Sequence, residues 1–283
     1  MAASIKSQEQ SLKVMKKIVD NYVKSAGKIR PHFLVSGSSG SGKSWLIEGV
    51  ARKHGITVVN LNAAQLTREG IAGNSLSKSL EPLKKLQNKP VIVLMDEFDK
   101  LFNGVNGSAG DERSGVQSEI LHIISSGKCQ VIADYGKYAE IGTNNVLFIF
   151  AGAFMGEENL SPEKLLRMGM FPELLGRVNI HVGLPTIDCE ELVKAMKKDE
   201  LLYRYFDNNQ VLDKGDQEEI KDKIAEQIRI NHPKNVIGYR MIQRLIHQYF
   251  LFDGVFPVYE DEVADDAFEE EDDPFRVEIS KGE

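Results

Sequence analysis

Gly37-Ser38-Ser39-Gly40-Ser41-Gly42-Lys43-Ser44 is the stretch of this sequence from which the fold can be inferred. Its spacing, a glycine, four residues and then Gly-Lys-Ser, is that of a phosphate-binding loop. In such a loop the glycines let backbone N–H groups curl around phosphate oxygens, and the start of the following helix adds a favourable field. Residues 32–36 predict a short buried strand before the loop, and residues 44–53 predict a helix after it. A chance Gly/Ser loop would not need this context, so the pattern predicts nucleotide binding.

Two side chains of this loop have predicted roles with ATP and Mg²⁺ as cofactors. Lys43 is expected to reach the β- and γ-phosphates, and the Ser44 hydroxyl is expected to hold Mg²⁺. The residue after them, Trp45, is included among the nucleotide-binding residues. The full predicted set is Gly37, Ser38, Ser39, Gly40, Ser41, Gly42, Lys43, Ser44 and Trp45.

An acidic pair, Asp96 and Glu97, closes the continuous apolar run 91–95. Such a run suits a strand that is covered on both faces. A carboxylate at the end of a strand beside the phosphate-binding loop is where a partner for Mg²⁺ is needed, and we assign that role to Asp96. Glu97 could polarise the attacking water as a general base, which would separate a hydrolysing enzyme from a nucleotide binder. The alternative, an ordinary acidic strand end, does not explain why the pair follows the loop at a fitting distance.

Strands and helices alternate along the chain as far as Pro185. Further predicted strands are 56–61, 146–151 and 178–182, and further predicted helices are 5–26, 76–86 and 115–125. This alternation predicts an α/β fold with a parallel sheet and helices on both faces.

Beyond Pro185 the sequence predicts only helices. They are 189–201, 217–230 and 239–250, and Asp188 and Asp216 are the predicted N-caps of the first two. We therefore predict a nucleotide-binding α/β domain over residues 1–184, a helical domain over 185–258 and an acidic tail over 259–283.

The composition is that of a soluble globular protein. The chain has 283 residues, of which 42% are hydrophobic and 27% are charged, as is ordinary for globular domains. No apolar run approaches the ~20 residues that cross a bilayer, and the N-terminus lacks the apolar core of a signal peptide. The two cysteines, Cys129 and Cys189, are well separated and indicate free thiols in a reducing compartment. The predicted location is the cytoplasm, or the host cytoplasm if the chain is virus-encoded, with no membrane partner.

The charge is distributed unevenly along the chain. The net charge is −7, but residues 260–273 contain ten acidic residues and no basic ones. Without that segment the net charge would be +3. A run of this kind is typically solvated and disordered. The globular part is therefore slightly basic, and the acidity belongs to the predicted tail.

Five segments carry a resemblance to a known family. They are Ser7-Gln8-Glu9, Met95-Asp96-Glu97-Phe98-Asp99-Lys100, Gly115-Val116-Gln117, Val146-Leu147-Phe148-Ile149-Phe150-Ala151-Gly152-Ala153-Phe154 and Phe171-Pro172-Glu173-Leu174-Leu175-Gly176-Arg177. In this order they resemble the adenine-contacting loop, the second acidic motif, the helix after it, the strand that carries sensor 1, and the arginine-finger box of one group of ATPases. That group is the Clp/Hsl unfoldase branch of the AAA+ proteins, the relatives of ClpX and HslU, and the resemblance spans residues 5–250.

The resemblance implies an AAA+ α/β domain and a small all-α lid, assembled into a ring that is commonly a hexamer. ATP would lie at each subunit boundary, and Arg177 would act in trans on the γ-phosphate of the neighbour. An arginine in this role can be worth ~10³–10⁵ in rate in related phosphoryl transfers. The alternative is that Arg177 is a structural arginine at a strand start.

The two sensor positions of the family are less clear in this sequence. Arg240 is the candidate for sensor 2, with Arg244 one turn later as the second choice, because Ile237 stands where the family often has an earlier arginine. Sensor 1 has no obvious polar residue at the end of its strand. Thr143 and Asn145, at the start of that strand, are the remaining candidates.

Three features depart from the family. Gly70-Ile71-Ala72-Gly73 takes the place of the substrate-gripping pore loop, where the family has an aromatic second residue, so Ile71 would offer a smaller apolar pad. An exposed glycine turn is an equal alternative for this segment. Only residues 155–160 stand where ClpX-type chains have the long insertion with the peptidase-docking loop, so a Clp-type peptidase is not an expected partner. The sequence also lacks an N-terminal zinc domain and a large middle domain.

The leading functional hypothesis is an ATP-driven motor that remodels or unfolds protein substrates without a docked peptidase, and so acts as a chaperone. Its partners would be other copies of itself, in a ring, and a protein substrate. A DNA-transaction ATPase, such as a helicase loader or recombination motor, is the alternative that the slightly basic globular part would suit. A third hypothesis is a nucleotide-switched assembly factor whose acidic tail engages a basic partner.

Overall fold

The structure of the chain is a computed structural model, and it describes residues 6–67, 74–87, 89–102, 108–132, 137–157 and 159–257. In the helix that begins at residue 108, side chains are described from residue 114 onward. The strands in these ranges are β1 (Phe33–Ser36), β2 (Thr57–Asn62), β3 (Val91–Asp96), β4 (Lys128–Ile132), β5 (Tyr138–Gly142), β6 (Val146–Gly152) and β7 (Ile180–Gly183). The α-helices are α1 (Glu9–Lys24), α2 (Lys43–Lys53), α3 (Leu76–Ser79), α4 (Ser108–Ser126), α5 (Pro162–Met168), α6 (Pro172–Arg177), α7 (Cys189–Met196), α8 (Glu200–Asn208), α9 (Lys214–Asn231) and α10 (Arg240–Leu251).

Five of the described strands form one parallel sheet with the order β2-β3-β6-β1-β7. The last residue of β1, Ser36, is paired with Gly152 of β6 and Gly183 of β7. Asp96 ends β3 beside Asn62 of β2. Because all five strands run the same way, their carboxyl ends meet at one edge of the sheet, which is where ligands bind in such folds. The phosphate-binding loop and the acidic pair therefore lie at the same edge.

Both faces of the sheet are covered, as the continuous apolar runs predict. In β3, Val91, Val93 and Met95 belong to one hydrophobic cluster, and Ile92 and Leu94 belong to another. The first cluster includes residues of α4, α5, α6 and the β4–β5 hairpin, and the second includes residues of α1 and α2. The predicted α/β architecture is confirmed.

After β7 the described chain is helical. Helices α7 to α10 enclose a third hydrophobic cluster, whose members all come from residues 187–256. A separate cluster agrees with a helical domain after Pro185, and the domain division at 184/185 stays a prediction. The predicted acidic tail over 259–283 and the predicted substrate contact Ile71 lie outside the described residues. Among the described helices, none combines the length and apolar character needed to cross a membrane.

Pro82 breaks the predicted helix 76–86. Helix α3 ends at Ser79, and a 3₁₀ helix with Pro82 in its first turn follows at Glu81–Leu86. Proline has no backbone N–H, and its ring would clash with the carbonyl four residues earlier in an α-helix. The prediction of one continuous helix was wrong.

Aspartate caps determine where the helices after β7 begin. Asp188 accepts a hydrogen bond from the backbone N–H two residues later at 2.9 Å, which confirms it as the N-cap of α7. Asp199 does the same at 2.8 Å, so the predicted helix 189–201 is divided and α8 starts there. The N-cap of α9 is Asp213, which accepts from two backbone N–H groups. The choice of Asp216 was wrong, because the helix begins three residues earlier.

Tyr22 links α1 to the edge of the sheet at which the strands begin. Its side chain is fully buried, and its hydroxyl accepts from the Val91 N–H at 2.7 Å. The same hydroxyl can donate to the carbonyl of Val91 at 2.9 Å or to that of Asn145 at 2.5 Å. Burial raises the pKa of the Tyr22 hydroxyl to about 12, so the group is neutral at physiological pH.

Tyr22→Phe is expected to lower the free energy of unfolding by about 1–3 kcal/mol, because it removes the nearest acceptor of a buried N–H. Urea unfolding measures the change. The matched control is Tyr203→Phe, since Tyr203 is 43% exposed and its hydroxyl donates to the Lys197 carbonyl at 3.0 Å. An exposed change of this kind should cost less than about 0.5 kcal/mol. Equal losses in the two variants would contradict the role given to Tyr22.

Candidate functional site

The phosphate-binding loop connects β1 to α2 and depends on glycine for its backbone path. Gly40 and Gly42 have φ angles of 71° and 87°, in the left-handed region, and Gly42 is the N-cap of α2. A Cβ added to Gly37 would lie 2.8 Å from the carbonyl oxygen of Leu184. The first N–H groups of a helix have no partner within the helix, so those of α2 are available to phosphate oxygens.

Lys43 lies inside the loop rather than in solvent. Its ammonium is buried and donates to the carbonyl oxygens of Gly37 at 2.7 Å and Ser38 at 2.9 Å. Burial lowers the pKa of the Lys43 ammonium, while the nearby Asp96 and Asp99 act to raise it. The loop therefore holds the Lys43 side chain at the place where phosphate charge has to be met.

Ser44 and Asp96 are brought together by the fold. The Ser44 hydroxyl donates to Oδ2 of Asp96 at 2.5 Å, and Oδ1 of Asp96 accepts from the Glu97 N–H at 2.9 Å. A hydroxyl beside a carboxylate offers the oxygen ligands that Mg²⁺ prefers. Ser44 and Asp96, each predicted to hold Mg²⁺, therefore lie side by side, and their role with the metal stays a prediction.

Glu97 lines a polar cleft. Its side chain is exposed, and its φ of 56° places a non-glycine residue in the left-handed region, which is uncommon and often associated with function. The cleft has a volume of about 620 Å³. Besides Glu97 it is lined mainly by polar side chains, among them Ser44, Glu48, Asn60, Asn62, Gln65, Asn74, Lys78 and Asp96. A water molecule could reach Glu97 from this side.

Asp99 takes part in the site without having been assigned a role from the sequence. It is 8% exposed, and its Oδ1 accepts from the Ala153 N–H at 3.0 Å. A Cβ added to Gly152, at the end of β6, would lie 2.5 Å from that same oxygen. Asp99 thereby ties the turn after β3 to the end of the neighbouring strand. The available signal was a third acidic residue closely following the acidic pair.

The N-terminal segment, which resembles an adenine-contacting loop, lies against the phosphate-binding loop. Gln8 is 1% exposed, and its Nε2 donates to the carbonyls of Ser41 at 2.9 Å and Pro185 at 3.0 Å. These two bonds fix the orientation of the amide, and its buried Oε1 is left with no partner among the described residues, as is the Ser41 hydroxyl. Buried polar atoms without partners are costly, so they indicate a place for a polar ligand. The glycine path, the Lys43 charge, the Ser44–Asp96 oxygens and these two atoms fit a nucleotide with Mg²⁺.

The segment before α10 touches the loop directly. The Tyr239 N–H donates to the Gly40 carbonyl at 3.0 Å, and Nη1 of Arg240 donates to the Ser39 hydroxyl at 3.1 Å. Arg244 is exposed and makes no such contact within the described chain. Of the two arginines considered for sensor 2, the structure brings Arg240 to the loop.

Gly40→Ala is expected to weaken ATP binding at least about tenfold, a loss of ~1.4 kcal/mol. The added Cβ would lie 1.9 Å from the Ile237 carbonyl oxygen, so the segment before α10 would have to leave the loop. Gly55→Ala is the control, because Gly55 has a similar φ of +66° but no atom within 4 Å of the added Cβ. Calorimetric titration with ATP measures both variants, and equal affinities would contradict the importance of this contact.

The structure places the other candidates away from their own loop. Arg177 is exposed and lies just before β7, whose first residue is paired with Phe33 at the start of β1, so it sits near the edge opposite the loop. Thr143 and Asn145 precede β6 at that same edge, where Thr143 is buried and donates to the Ile123 carbonyl at 3.4 Å. They do not reach the loop, so their choice for sensor 1 was wrong. Trp45, in the first turn of α2, is 52% exposed.

Comparisons with known proteins agree with this geometry. Residues 33–176 match the family described as "ATPase family associated with various cellular activities (AAA)". The "ATP-dependent Clp protease ATP-binding subunit ClpX" of Treponema denticola is 28% identical over 215 residues, which is 59% of this chain and 51% of that protein. ClpX of Borrelia duttonii is 28% identical over 247 residues, 68% of this chain and 58% of that protein. The "ATP-dependent protease ATPase subunit HslU" of Lactobacillus acidophilus is 31% identical over 176 residues, 59% of this chain and 34% of that protein. The chain thus spans less than two thirds of the length of each of these relatives.

Proposed function

Because this chain belongs to the AAA family of ATPases, with relatives in the Clp/Hsl branch, we propose that it is an ATP-hydrolysing ring motor that remodels or unfolds protein substrates. The observation that carries the proposal is the 2.5 Å contact between the Ser44 hydroxyl and Asp96. It joins the phosphate-binding loop to the acidic strand end, directly beside the exposed Glu97. A protein that only binds the Mg²⁺ nucleotide would need Ser44 and Asp96 but not a carboxylate that activates water, which is the task proposed for Glu97.

The proposed nucleotide site uses each group for one task. ATP bound with Mg²⁺ would supply the phosphoryl group and the metal charge that offsets the phosphate charge. Lys43 would stabilise the β- and γ-phosphate oxygens, and Ser44 and Asp96 would hold the metal. Glu97 would orient the attacking water and accept its proton, as a general base at the open side of the site.

The position of Arg177 supports the proposal of a ring. Its guanidinium is exposed and lies near the sheet edge opposite the loop of its own subunit. In this proposal it serves a phosphate bound by another copy of the chain, which is the arrangement of an arginine finger acting in trans. We propose a closed ring, commonly a hexamer in this family, with one nucleotide at each boundary.

The helical part would convert nucleotide state into movement. Tyr239 and Arg240 contact the loop, and Gln8 joins the loop to Pro185, where the helical part begins. We propose residues 185–258 as the lid domain. A change in the conformation of the loop would be transmitted to this domain through these contacts. Ile71 remains our proposed substrate contact.

The test is the effect of two kinds of polymer on the ATPase rate. Casein, an unfolded protein, should raise the rate of the wild-type chain, and Ile71→Ser should reduce that increase. Single-stranded DNA should have no effect. Stimulation by DNA and not by casein would contradict the proposal and would support a DNA-transaction ATPase, for which the +3 charge of the chain outside 260–273 is the motivating observation.

A further inference from the structure

A buried glutamine of α4 holds the corner that leads into α6. Gln117 is 2% exposed, and its Nε2 donates to the Gly169 carbonyl at 3.0 Å. Its Oε1 accepts from the Phe171 N–H at 3.1 Å. Gly169 is the C-cap of α5 and Phe171 is the N-cap of α6. The Gln117 amide therefore hydrogen-bonds to the backbone at both ends of the turn between α5 and α6. It fixes the start of α6, the helix that ends at Arg177.

The same corner lies against the segment that follows the acidic pair. Nε2 of Gln117 is 3.5 Å from the carbonyl oxygen of Leu101, which ends the 3₁₀ helix directly after Glu97. A Cβ added to Gly169 would lie 3.1 Å from the Phe102 carbonyl oxygen, and the φ of Gly169 is +103°. Only glycine adopts this conformation readily at such a close approach. The backbone before α6 thus rests on the backbone that continues from the acidic strand end.

Aromatic packing joins that segment to the sheet edge. The Phe98 ring lies 5.1 Å from that of Phe102 and 4.5 Å from that of Phe150 in β6. The Phe102 ring lies 5.9 Å from that of Phe154. All four side chains are buried. In a close-packed cluster a displacement of one ring displaces its neighbours, so a shift at the end of β3 reaches Phe102 and then Gly169.

We propose that Gln117 is a positioning residue that places Arg177 for the neighbouring subunit and ties its position to the acidic strand end of its own subunit. The inference rests on the proposed function, because it requires Arg177 to act in trans. Gln117 touches neither nucleotide nor water in this scheme and acts only through α6. Its loss should therefore affect the site of the neighbour and spare the site of its own subunit.

Mixed rings separate these two effects. Subunits with Glu97→Gln cannot turn over ATP but can offer Arg177, and subunits with Arg177→Ala can turn over ATP only beside a neighbour that offers it. Mixing the two should restore an ATPase rate that neither has alone. Gln117→Met is then added either to the donor of Arg177 or to the acceptor. Ser118→Ala, on the exposed side of the same helix, is the control in both positions.

In the donor, Gln117→Met should lower the restored rate at least about tenfold, since a misplacement of ~1 Å can cost ~10²-fold. In the acceptor it should change the rate less than about twofold. Equal loss in both positions would indicate a merely structural role and overturn the inference, and so would no loss in either. If the mixture without Gln117→Met restores no activity, the trans arginine of the proposed function is contradicted and the inference falls with it.

Gly169→Ala is a second variant that reaches the same corner without changing the buried amide. It disturbs the approach of Gly169 to Phe102, and it should show the same difference between donor and acceptor. Urea unfolding and the mass in solution show whether each variant folds and assembles. If Gln117→Met does not fold, the donor–acceptor difference of Gly169→Ala decides the inference.

Discussion

Replacing Glu97 by glutamine is expected to lower the rate of ATP turnover about 100-fold or more, because a positioned general base typically contributes ~10²–10⁴-fold. Glutamine has nearly the same size and the same hydrogen-bonding oxygen, but it cannot accept the proton of the attacking water. ATP binding should persist, since Lys43, Ser44 and Asp96 are untouched. Phosphate release at saturating ATP measures the rate, and calorimetric titration measures the binding.

Glu48→Gln is the matched control for this prediction. Glu48 lines the same cleft and accepts from the Asn60 side chain at 2.8 Å. It lies one turn after Ser44 in α2 and has no assigned catalytic role. Its replacement should change turnover less than about threefold, as expected for a charge at the edge of a solvated cleft. Equal losses for Glu48→Gln and Glu97→Gln would mean that the charge of the cleft, and not a base at Glu97, is what matters.

Arg177→Ala is expected to lower turnover by about 10³-fold or more, because an arginine that stabilises the transferred phosphoryl group is worth ~10³–10⁵ in related reactions. The affinity of an isolated chain for ATP should be unchanged, since Arg177 lies far from its own loop. The rate of phosphate release by the assembled protein measures the loss. Arg167→Ala, an exposed arginine in the last turn of α5, is the control and should have little effect.

The affinity of the unassembled chain distinguishes this role from a structural one. If Arg177 merely supported the start of β7, its loss would destabilise the chain, and urea unfolding of Arg177→Ala would show it. If Arg177 acted on its own nucleotide, the affinity of the isolated chain would fall. Either outcome would contradict an arginine finger in trans.

The elements that the sequence predicted well are those with strong local signals. The phosphate-binding loop has a complete pattern of glycines, and β3 and β6 are continuous apolar runs of the kind that suits a strand covered on both faces. Asp188 precedes a clear helical period, and its side chain caps α7 as predicted. In each case the residues that determine the structure are adjacent in sequence.

The local signals that were misjudged have identifiable reasons. Helix α4 starts at Ser108, whereas the sequence predicted a start near Gly115. The prediction missed the first turns because a stretch that contains Gly and Ser indicates a loop more readily than the start of a helix. The antiparallel hairpin of β4 and β5 was not predicted, although Cys129 and Val131 alternate with exposed residues. The sequence pattern of such short strands is weak, because strand propensity depends on packing. Here the strands pack on the first hydrophobic cluster, which the sequence does not show.

Contacts between distant parts of the chain could not be predicted from the sequence. Gln8 meets the Pro185 carbonyl, and Ser7 donates to a carboxylate oxygen of Glu191 at 2.5 Å. Gln117 bridges residues that lie more than fifty positions further along. A side-chain amide has both hydrogen-bond donors and an acceptor, but no periodicity or spacing in the sequence predicts their partners. Only the folded chain shows which groups they bond to.

The measurement that tests the central claim most directly is the ATPase rate together with the mass in solution, recorded over a series of chain concentrations with and without ATP. We predict that the wild-type chain forms a ring, that turnover per chain rises as the ring forms, and that Glu97→Gln still assembles without turning over ATP. A wild-type chain that stays a monomer and binds ATP without turnover would contradict the account. Arg177 would then have no neighbour to serve, and the protein would be a nucleotide-dependent binding module.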